Sequence, residues 1–436
     1  MKKLFLFVFI AFILPCHALL NLELTQGIQS AVPIAIVPFE NEQSQQANNQ
    51  VSQVISADLN NSSEFKVTTG KHLPAYPYDT TLMQLKPWQN LGVEDVLIGR
   101  IKALNDGRYQ VTASLVSVYQ NSRSAQVTPQ SILLSETFTI NKNQMRTLAH
   151  RLSDLVYEKL TNVPGIFSTQ IAYILVKQTS PHKTQHQLII ADYDGYNAKP
   201  LVSSSEPLMS PTWSPDGKAV AYVSFQNTLP AIYDVQLKNG DFKQLTQIAG
   251  INGAPAWSPD GKKIAVVLSK TGQAKLYIKD LTTGKLTQIT HGYSIDTEPC
   301  FSPDGKTLIF TSNRGGSPQI YQYTLATQHI ERLTFNGSYN ARGSFSPDGK
   351  QIVMIHRDQG DYYIAIQDLT TDHLHVLTKS GHDESPSFAP NGKMIIYGTT
   401  VGRKEILAIV SADGRIQLKL PERLGSVQEP AWSPRV

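Results

Sequence analysis

Cysteine is almost absent from this sequence, with only Cys16 and Cys300 among its 436 residues. Cys16 lies in an N-terminal segment that we expect to be removed, so the mature chain would keep one thiol and could form no internal disulfide. Stability must then come from packing alone. Cys300 lies among apolar residues of a predicted strand, a setting typical of a buried and unreactive thiol.

A strong charge of either sign is also lacking. The sequence has 39 Lys and Arg residues against 35 Asp and Glu residues. Lys2 and Lys3 lie in the segment expected to be removed, so the remaining chain is nearly neutral. Proteins that bind nucleic acid carry a basic patch or stripe, and no basic run occurs here. The sequence therefore argues against nucleic acid as a partner.

The motifs of common enzymes are missing. The nearest match to the nucleophile elbow Gly-x-Ser-x-Gly, at residues 315–319, lacks the final glycine. No His-Glu-x-x-His pair occurs, and residues 305–307 resemble a phosphate loop that would need glycine in place of Cys300. His373 and His375 share one face of a predicted strand but have no evident third ligand. We expect no enzyme, no cofactor and no metal site.

Only one long hydrophobic run is present, the eleven residues 4–14. Lys2 and Lys3 precede the run, and Ala18 provides a small residue for cleavage, which together are typical of a secretory signal. The run is shorter than the roughly 20 residues that span a bilayer. Lipidation of Cys16 is a weak alternative, because Pro15 precedes it. We predict an export signal at residues 1–18 and a periplasmic location.

The second half of the sequence is a repeat. An aromatic residue followed by Ser-Pro-Asp-Gly-Lys, or a close variant of it, recurs at intervals of 43 or 44 residues. The aromatic positions are Trp213, Trp257, Phe301, Phe345, Phe388 and Trp432. Pro-Asp-Gly suits a type I turn, and each turn is followed by short apolar strands. Four strands in about 44 residues are typical of one blade of a β-propeller.

The two ends of the repeat predict how the ring closes. Residues 171–175, 188–192 and 199–202 resemble the second, third and fourth strands of a blade that lacks its first strand. Residues 431–434 resemble a first strand with nothing after it. We therefore predict a six-bladed β-propeller over residues 166–436, closed by the C-terminal strand.

The loops that lead from one blade into the next are the candidate functional surface. They should all open on one face around the central channel, and loops on a rigid scaffold often carry function. The loops are residues 205–210, 250–254, 293–298, 338–342, 381–385 and 425–429. Their acidic residues, which make this face a candidate docking surface, are Glu206, Glu298, Asp383, Glu384 and Glu429.

The first half of the sequence predicts a separate mixed α/β domain over residues 34–162. Residues 34–38 form an apolar strand, and the positions from Val51 to Leu59 have helical spacing. Two strands flank Asn-Asp-Gly at residues 105–107, a strong hairpin signal. A long amphipathic helix begins near Met145 and ends before residues 163–165. Residues 19–33 precede the first strand and read as a flexible N-terminal arm.

An exported α/β domain followed by six such blades resembles the TolB family of periplasmic propeller proteins, and the resemblance covers essentially the whole chain. The generic repeat is shared by many propellers, so other segments are more specific. They are VPIAIVPF at residues 32–39, ADLNNS at 57–62, EKLT at 158–161, ADYDGYN at 191–197, PLMSP at 207–211, SKTG at 269–272, NGSYN at 336–340 and WSP at 432–434.

The resemblance implies a binding protein of the Tol–Pal system, which supports outer-membrane integrity and envelope constriction during cell division. In the family, the propeller loops bind the lipoprotein Pal, and the N-terminal arm and domain bind TolA. Carried over by position, the Pal-binding candidates are Leu208, Met209, Asn252, Ala254, Thr297, Glu298, Tyr339, Asn340, Asp383 and Glu384. The TolA-binding candidates are Leu20, Leu22, Leu24, Thr25 and Ile28.

The sequence departs from the expected family pattern at Ile251 and Arg342. A monomer is expected, and other outer-membrane or peptidoglycan-associated proteins are further candidate partners. A function of a different class stays open at this point. The alternative is a periplasmic propeller that binds a small glycan or a metal in its channel, with hydrolysis as an added option.

Overall fold

The structure is a computed structural model that describes residues 21–24, 31–41, 45–120, 125–227, 229–421 and 425–435. Side chains are described throughout these ranges except at residues 21–24, 41 and 45–50. The expected signal at residues 1–18 therefore lies outside the described residues. Within the described part of the chain, no helix has the length and apolar character needed to cross a membrane.

The N-terminal region is a mixed sheet covered by helices. The first strand of the chain, β1 (Asn21–Leu24), joins the propeller. The elements of the N-terminal domain are β2 (Val32–Ile36), β3 (Glu40–Asn41), α1 (Gln45–Asn61), β4 (Phe65–Thr68), α2 (Leu85–Leu91), β5 (Asp95–Ala103), β6 (Tyr109–Ser117), β7 (Ile132–Ile140) and α3 (Met145–Thr161). The sheet order is β4-β2-β5-β6-β7, with β3 beside β5. β2 is parallel to β4 and β5, whereas β5, β6 and β7 are antiparallel neighbours.

Apolar periodicity explains the two long helices. Val51, Ile55 and Leu59 of α1 and Leu152 and Val156 of α3 are buried in one cluster with the sheet. α3 ends because Asn162 adopts the left-handed conformation and Pro164 follows, which stops the helix. Both helices were predicted from the sequence, and the structure confirms them.

The first strand of this domain lies two residues earlier than predicted. It runs Val32–Ile36 because the Val32 N–H donates to Glu64 O and the chain pairs with β4 from that point. Pro38, placed in the predicted strand, has no N–H to give to a ladder. Part of the predicted N-terminal arm therefore belongs to the sheet.

Six four-stranded blades form the ring. Blade 1 contains β8 (Gln170–Ser180), β9 (Lys183–Asp192) and β10 (Lys199–Ser204). Blade 2 contains β11 (Leu208–Trp213), β12 (Ala219–Asn227), β13 (Leu229–Gln236) and β14 (Phe242–Thr246). Blade 3 contains β15 (Asn252–Trp257), β16 (Lys263–Leu268), β17 (Lys275–Asp280) and β18 (Leu286–Gln288). Blade 4 contains β19 (Asp296–Phe301), β20 (Thr307–Ser312), β21 (Gln319–Thr324) and β22 (Ile330–Arg332). Blade 5 contains β23 (Tyr339–Phe345), β24 (Gln351–Asp358), β25 (Asp361–Asp368) and β26 (Leu374–Val376). Blade 6 contains β27 (Glu384–Phe388), β28 (Met394–Val401), β29 (Lys404–Ser411) and β30 (Ile416–Lys419).

The last strand, β31 (Ser426–Trp432), completes blade 1. It pairs antiparallel with β8, with Val427 opposite Leu175 and Trp432 opposite Ile171. The Trp432 indole stacks on Tyr193, with 6.5 Å between ring centroids, and its Nε1–H donates to Thr169 Oγ1 at 2.8 Å. The predicted six blades and their closure by the C-terminal strand are confirmed.

The repeated turn residues are structural. In the first copy, Ser214 Oγ donates to Asp216 Oδ1 at 2.7 Å, and Gly217 has the positive φ that the turn needs. The Ser214 hydrogen bond lowers the pKa of Asp216. Later copies form the same Ser–Asp bond. Five of the six repeated aromatics are buried, and Trp257 is partly exposed.

The α/β domain packs against blade 1 on the face that carries the Ser-Pro-Asp-Gly turns. His150 Nδ1 of α3 lies 2.9 Å from Asp58 Oδ2 of α1, and the hydroxyl of Tyr193 donates to Asp58 Oδ1 at 2.7 Å. His150 Nε2 lies 3.9 Å from Asp194 Oδ2. Burial alone would lower the pKa of His150, but the carboxylates of Asp58 and Asp194 outweigh it and raise that pKa. The domain and the ring thus share a buried ionic contact.

Residues 21–24 of the expected N-terminal arm form a strand that joins the propeller. The backbone of β1 pairs antiparallel with β30, with Leu22 opposite Leu418, and adds a fifth strand to the outer edge of blade 6. The outermost strand of a blade has unpaired backbone groups that can accept another strand. Residues 25–30 of the same predicted arm lie outside the described residues.

Removal of residues 430–436 is expected to lower the melting temperature of the whole protein, because blade 1 then loses the last three residues of its innermost strand, Trp432 among them. The point variant Trp432→Ala should lower the free energy of unfolding by about 3–5 kcal/mol, because the indole is buried. Phe242→Ala, at a side chain that is 71% exposed, is the control. Calorimetric melting curves that are the same for all three would contradict closure by this strand.

Candidate functional site: the loop face and the channel mouth

The interblade loops lie on the face of the ring opposite the α/β domain, which we call the loop face. Each inner strand starts there and runs toward the Ser-Pro-Asp-Gly turns on the other face. Because the α/β domain packs against the other face of the ring, a partner can approach the loops of the blades from this side.

Each inner strand has a bulge at the same place. The strand register shifts once in β11, β15, β19, β23, β27 and β31. The first bulged residue has a positive φ in every case: Ser210, Ala254, Glu298, Arg342, Ser385 and Glu429. Left-handed backbone is costly for residues other than glycine and is found where a side chain must be aimed. The six side chains line a channel mouth of about 210 Å³.

Arg342 crosses this channel mouth. Its guanidinium contacts Glu298 Oε1 of blade 4 and Glu429 Oε1 of β31, both at 2.9 Å, and donates to Ser385 Oγ of blade 6. The second oxygen of Glu429 accepts the N–H of Ser210 in blade 2. Burial opposes the charge of Arg342, but the carboxylates of Glu429 and Glu298 outweigh burial and raise its pKa. Inner strands of five blades are therefore joined through one cation.

This ion network speaks against a metal in the channel, one of the alternatives from the sequence. Glu298 and Glu429, the two carboxylates among the six bulged residues, are already bound by Arg342. Within the described ranges, the only group of three or more potential metal ligands is Asp58, His150 and Asp194, at the contact between the domains. Those carboxylates are bound by Tyr193, Ser153 and Arg146, so they form a structural contact instead of an open metal site.

Exposed apolar side chains form an arc on the loop face. Tyr293, before blade 4, is 98% exposed, and Phe335, before blade 5, is 69% exposed. Met209, Ile251 and Ile295 are exposed on the loops of blades 2, 3 and 4. Exposed apolar side chains on consecutive blades of one face are typical of a protein-binding surface. Ile251, which departed from the expected pattern, belongs to this apolar arc.

A buried ion network supports the loop at the centre of the apolar arc. Lys275 Nζ lies 3.0 Å from Asp296 Oδ2, and Arg314 lies 2.9 Å from Asp296 Oδ1. Ser312 Oγ also donates to Asp296. Burial would raise the pKa of Asp296, but the bonds from Ser312, Arg314 and Lys275 outweigh burial and lower it. The loop that presents Tyr293 and Ile295 is held rigid by these bonds.

The predicted Pal-binding residues fall into two groups. Met209 and Glu384 are exposed, and Ala254, Thr297, Glu298 and Tyr339 are partly exposed. Leu208, Asn252, Asn340 and Asp383 are buried. Asn252 bonds to the backbone of Ile248, and Asn340 bonds to Gln319 and to the backbone of Asn336. These two buried amides hold the loops in place.

The predicted TolA-binding residues are only partly described. Leu22 and Leu24 lie in β1, where the backbone alone is described. Leu20, Thr25 and Ile28 lie outside the described residues.

Several residues of this face were not predicted from the sequence. Tyr293, Ile295 and Phe335 are apolar side chains in loops rich in Gly and Ser, and that contrast is a signal that could have found them. Tyr362 and Glu405 lie on the third strands of blades 5 and 6 and carry no such signal. His373 and His375 are exposed and belong to no cluster of potential ligands among the described residues. Cys300 is partly exposed and lines the channel mouth, and burial raises the pKa of its thiol.

Comparisons with known proteins give a consistent result. A family model described as the TolB amino-terminal domain matches residues 20–124, and one described as the TolB beta propeller domain matches residues 157–436. The chain is 57% identical over 420 residues to the Tol-Pal system protein TolB of Coxiella burnetii, covering 96% of this chain and 94% of that protein. It is 53% identical to the protein of the same name from Erwinia tasmaniensis, over 100% of both chains. The crystal structure of TolB from Acinetobacter baumannii superposes with a TM-score of 0.86, at 41% identity, covering 96% of this chain and 100% of that chain.

The variant Lys275→Met should lower the free energy of unfolding at pH 7 by about 3 kcal/mol, because it removes one partner of a buried ion pair. The pKa of Asp296 is lowered in the folded protein, so its ionic stabilisation is present above the ordinary carboxyl pKa and is lost as the pH falls. The difference between variant and wild type should therefore shrink in acid. Lys218→Met, at an exposed lysine paired with Asp216, is the matched control in urea titrations and should change little. An equal stability of the Lys275→Met variant at pH 7 would contradict this role.

Proposed function

Because the chain belongs to the TolB family, a non-enzymatic family of the Tol–Pal envelope system, we propose that it is a periplasmic adaptor. In this proposal the loop face binds the lipoprotein Pal, and the N-terminal arm and domain bind TolA. The adaptor supports outer-membrane integrity and envelope constriction during cell division. Its export would depend on residues 1–18, which lie outside the described residues.

The observation that carries the Pal proposal is the apolar arc on a rigid face. Tyr293, Ile295, Met209, Ile251 and Phe335 are exposed on consecutive blades, and the α/β domain lies on the opposite side. The bulges and buried ion pairs fix the loops before a partner arrives, so little conformational entropy is lost on binding. A folded partner domain could contact several blades at once. The small-ligand alternative has no comparable support, because the channel carboxylates are bound by Arg342.

The TolA proposal is supported by β1. Leu20, Leu22 and Leu24 alternate with polar residues, a two-residue period suited to adding a strand to the edge of a sheet. The structure has the backbone of residues 21–24 on the edge of the chain's own blade 6. A TolA strand that uses the edge of β1 now paired with β30 would compete with blade 6, and any ligand that changes this pairing would then change TolA affinity by linkage.

Met209→Glu combined with Ile251→Glu should weaken binding of the soluble domain of Pal by at least about tenfold, because two charges then face an apolar interface. Phe242→Glu, at a more exposed apolar position on the opposite face, is the control and should bind Pal normally. Glu298→Arg and Asp383→Arg are less suitable probes, since Glu298 bonds to Arg342 and Asp383 is buried. Isothermal titration calorimetry that gives the same affinity for the double variant would place Pal elsewhere.

Deletion of residues 19–30 should abolish binding of the soluble domain of TolA while the protein stays folded. The β1 pairing lies at the outer edge of blade 6, so the ring keeps its own strands without it. Binding of Pal to the same truncated protein serves as the control for folding. Surface plasmon resonance that shows unchanged TolA affinity would contradict a role for the arm.

A further inference from the structure

A pocket of about 410 Å³ opens on the loop face between blades 5 and 6. Its walls include Asp383, Glu384 and Glu405, together with the rings of Tyr339 and Tyr362. The two rings meet edge to face, with 5.6 Å between centroids. Carboxylates beside aromatic rings are the surroundings that favour an ammonium or guanidinium group.

The carboxylates of this pocket have no basic partner within the described part of the chain. Arg342 and His382 also line the pocket, but the ion pairs of Arg342 are with Glu298 and Glu429, and no ion pair of the described residues includes His382. Gln428 donates to Glu405 at 2.7 Å, and no ion pair of the described residues includes Asp383, Glu384 or Glu405. Burial raises the pKa of Glu384 against the effect of Arg342, and the carboxylates of Glu429 and Glu405 raise it further. A bound cation would relieve this repulsion.

Asp383 is the most informative of these groups. It is 1% exposed, and Ser380 donates to its Oδ1. Its Oδ2 is buried and has no hydrogen-bond partner. A buried carboxylate oxygen without a partner is strongly unfavourable, so such an oxygen beside a pocket points to a missing donor.

The repeat itself shows which donor this position uses. Asp383 and Asp296 both stand five residues before the repeated aromatic, in blades 6 and 4. The N–H of Asp296 donates to Ala274 O, and the N–H of Asp383 donates to Tyr362 O. The residues that follow those acceptors, Lys275 and Tyr363, are therefore equivalent.

Lys275 of blade 3 and Arg314 of blade 4 neutralise Asp296. The strand pairing places Val401 at the position of Arg314, because Thr297 pairs with Thr311 as Glu384 pairs with Gly398. The site of Asp383 in blade 6 thus keeps the acid, with Tyr363 of blade 5 and Val401 of blade 6 in place of the two bases.

We propose that this pocket receives a lysine or arginine side chain of the protein that docks on the loop face. The partner's cation would occupy the place that Lys275 occupies beside Asp296, with the rings of Tyr339 and Tyr362 along its aliphatic stem. The inference deepens the proposed function, because it names the chemistry that the loop face selects. The apolar arc supplies contact area, and the pocket requires one basic residue at a fixed place.

The test uses the full mature chain and the soluble domain of Pal in isothermal titration calorimetry. Asp383→Asn combined with Glu405→Gln should weaken binding by at least about tenfold, because the partner's cation would be buried with neutral groups. Glu206→Gln, at an exposed carboxylate of the blade 2 loop outside the pocket, is the matched control and should bind normally. Unchanged affinity of the double variant would overturn the inference and leave the proposed function intact.

A second variant supplies the pocket with a cation from the chain's own sequence. Tyr363→Lys places an ammonium group at the position equivalent to Lys275, so it should raise the melting temperature and weaken Pal binding together. A lower melting temperature with normal Pal binding would count against the proposed equivalence and overturn the inference.

A third measurement separates this inference from the proposed function. If the wild-type protein does not bind Pal, the proposed function fails, and the pocket is tested alone with N-acetyl-arginine amide by NMR. Chemical-shift changes at Tyr339 and Tyr362 that are absent from the Asp383→Asn, Glu405→Gln variant would support the pocket. The absence of such changes in the wild type would overturn it.

Discussion

Closure of the ring by β31 is the constraint on which the rest of the molecule depends. A single blade cannot bury both faces of its sheet, so each blade needs two neighbours. β31 gives blade 1 its inner strand and brings Glu429 to the channel mouth, where it meets Arg342 of blade 5 and the backbone of blade 2. Trp432 of the same strand also stacks on Tyr193, which bonds to Asp58 of the α/β domain. Ring closure, channel geometry and domain docking thus share one strand.

A repeated scaffold makes its irregular positions informative. Six bulges aim six side chains at one channel mouth, yet their identities differ, and the differences decide what the loop face can bind. Blade 4 satisfies its buried aspartate with Lys275 and Arg314, whereas blade 6 leaves Asp383 with an unpaired oxygen. The loop face has the apolar arc over blades 2 to 5 and the acidic pocket at blades 5 and 6. Because its two sides differ in chemistry, a partner can dock on it in one orientation.

The architecture could be predicted from the sequence because the period of the repeat corresponds to one blade. The six aromatic positions gave the blade number, and the missing strand of blade 1 matched the spare strand at residues 431–434. The site was less accessible, because a loop position does not reveal which way a side chain points. Asn252 and Asn340 are polar loop residues of the kind that usually faces water, but here they bond to loop backbone and are buried. Arg342 looked anomalous because its partners, Glu298 and Glu429, are distant in sequence. The alternation of apolar and polar residues in β1 predicts a strand, but it does not show whether that strand pairs with a partner's sheet or with the chain's own blade 6.

The pairing of Thr169 with Trp432 joins residues 263 positions apart along the chain. Contacts of such long sequence separation form slowly, since a large loop must close before they are gained. Until residues 426–432 have been made and delivered, blade 1 has an open inner edge and the ring is a curved row of blades with two unsatisfied ends. A nascent chain in that state exposes sheet edges that pair readily with other chains. The protein therefore gains from being kept unfolded during its synthesis and any transport, with folding begun once the whole propeller sequence is together.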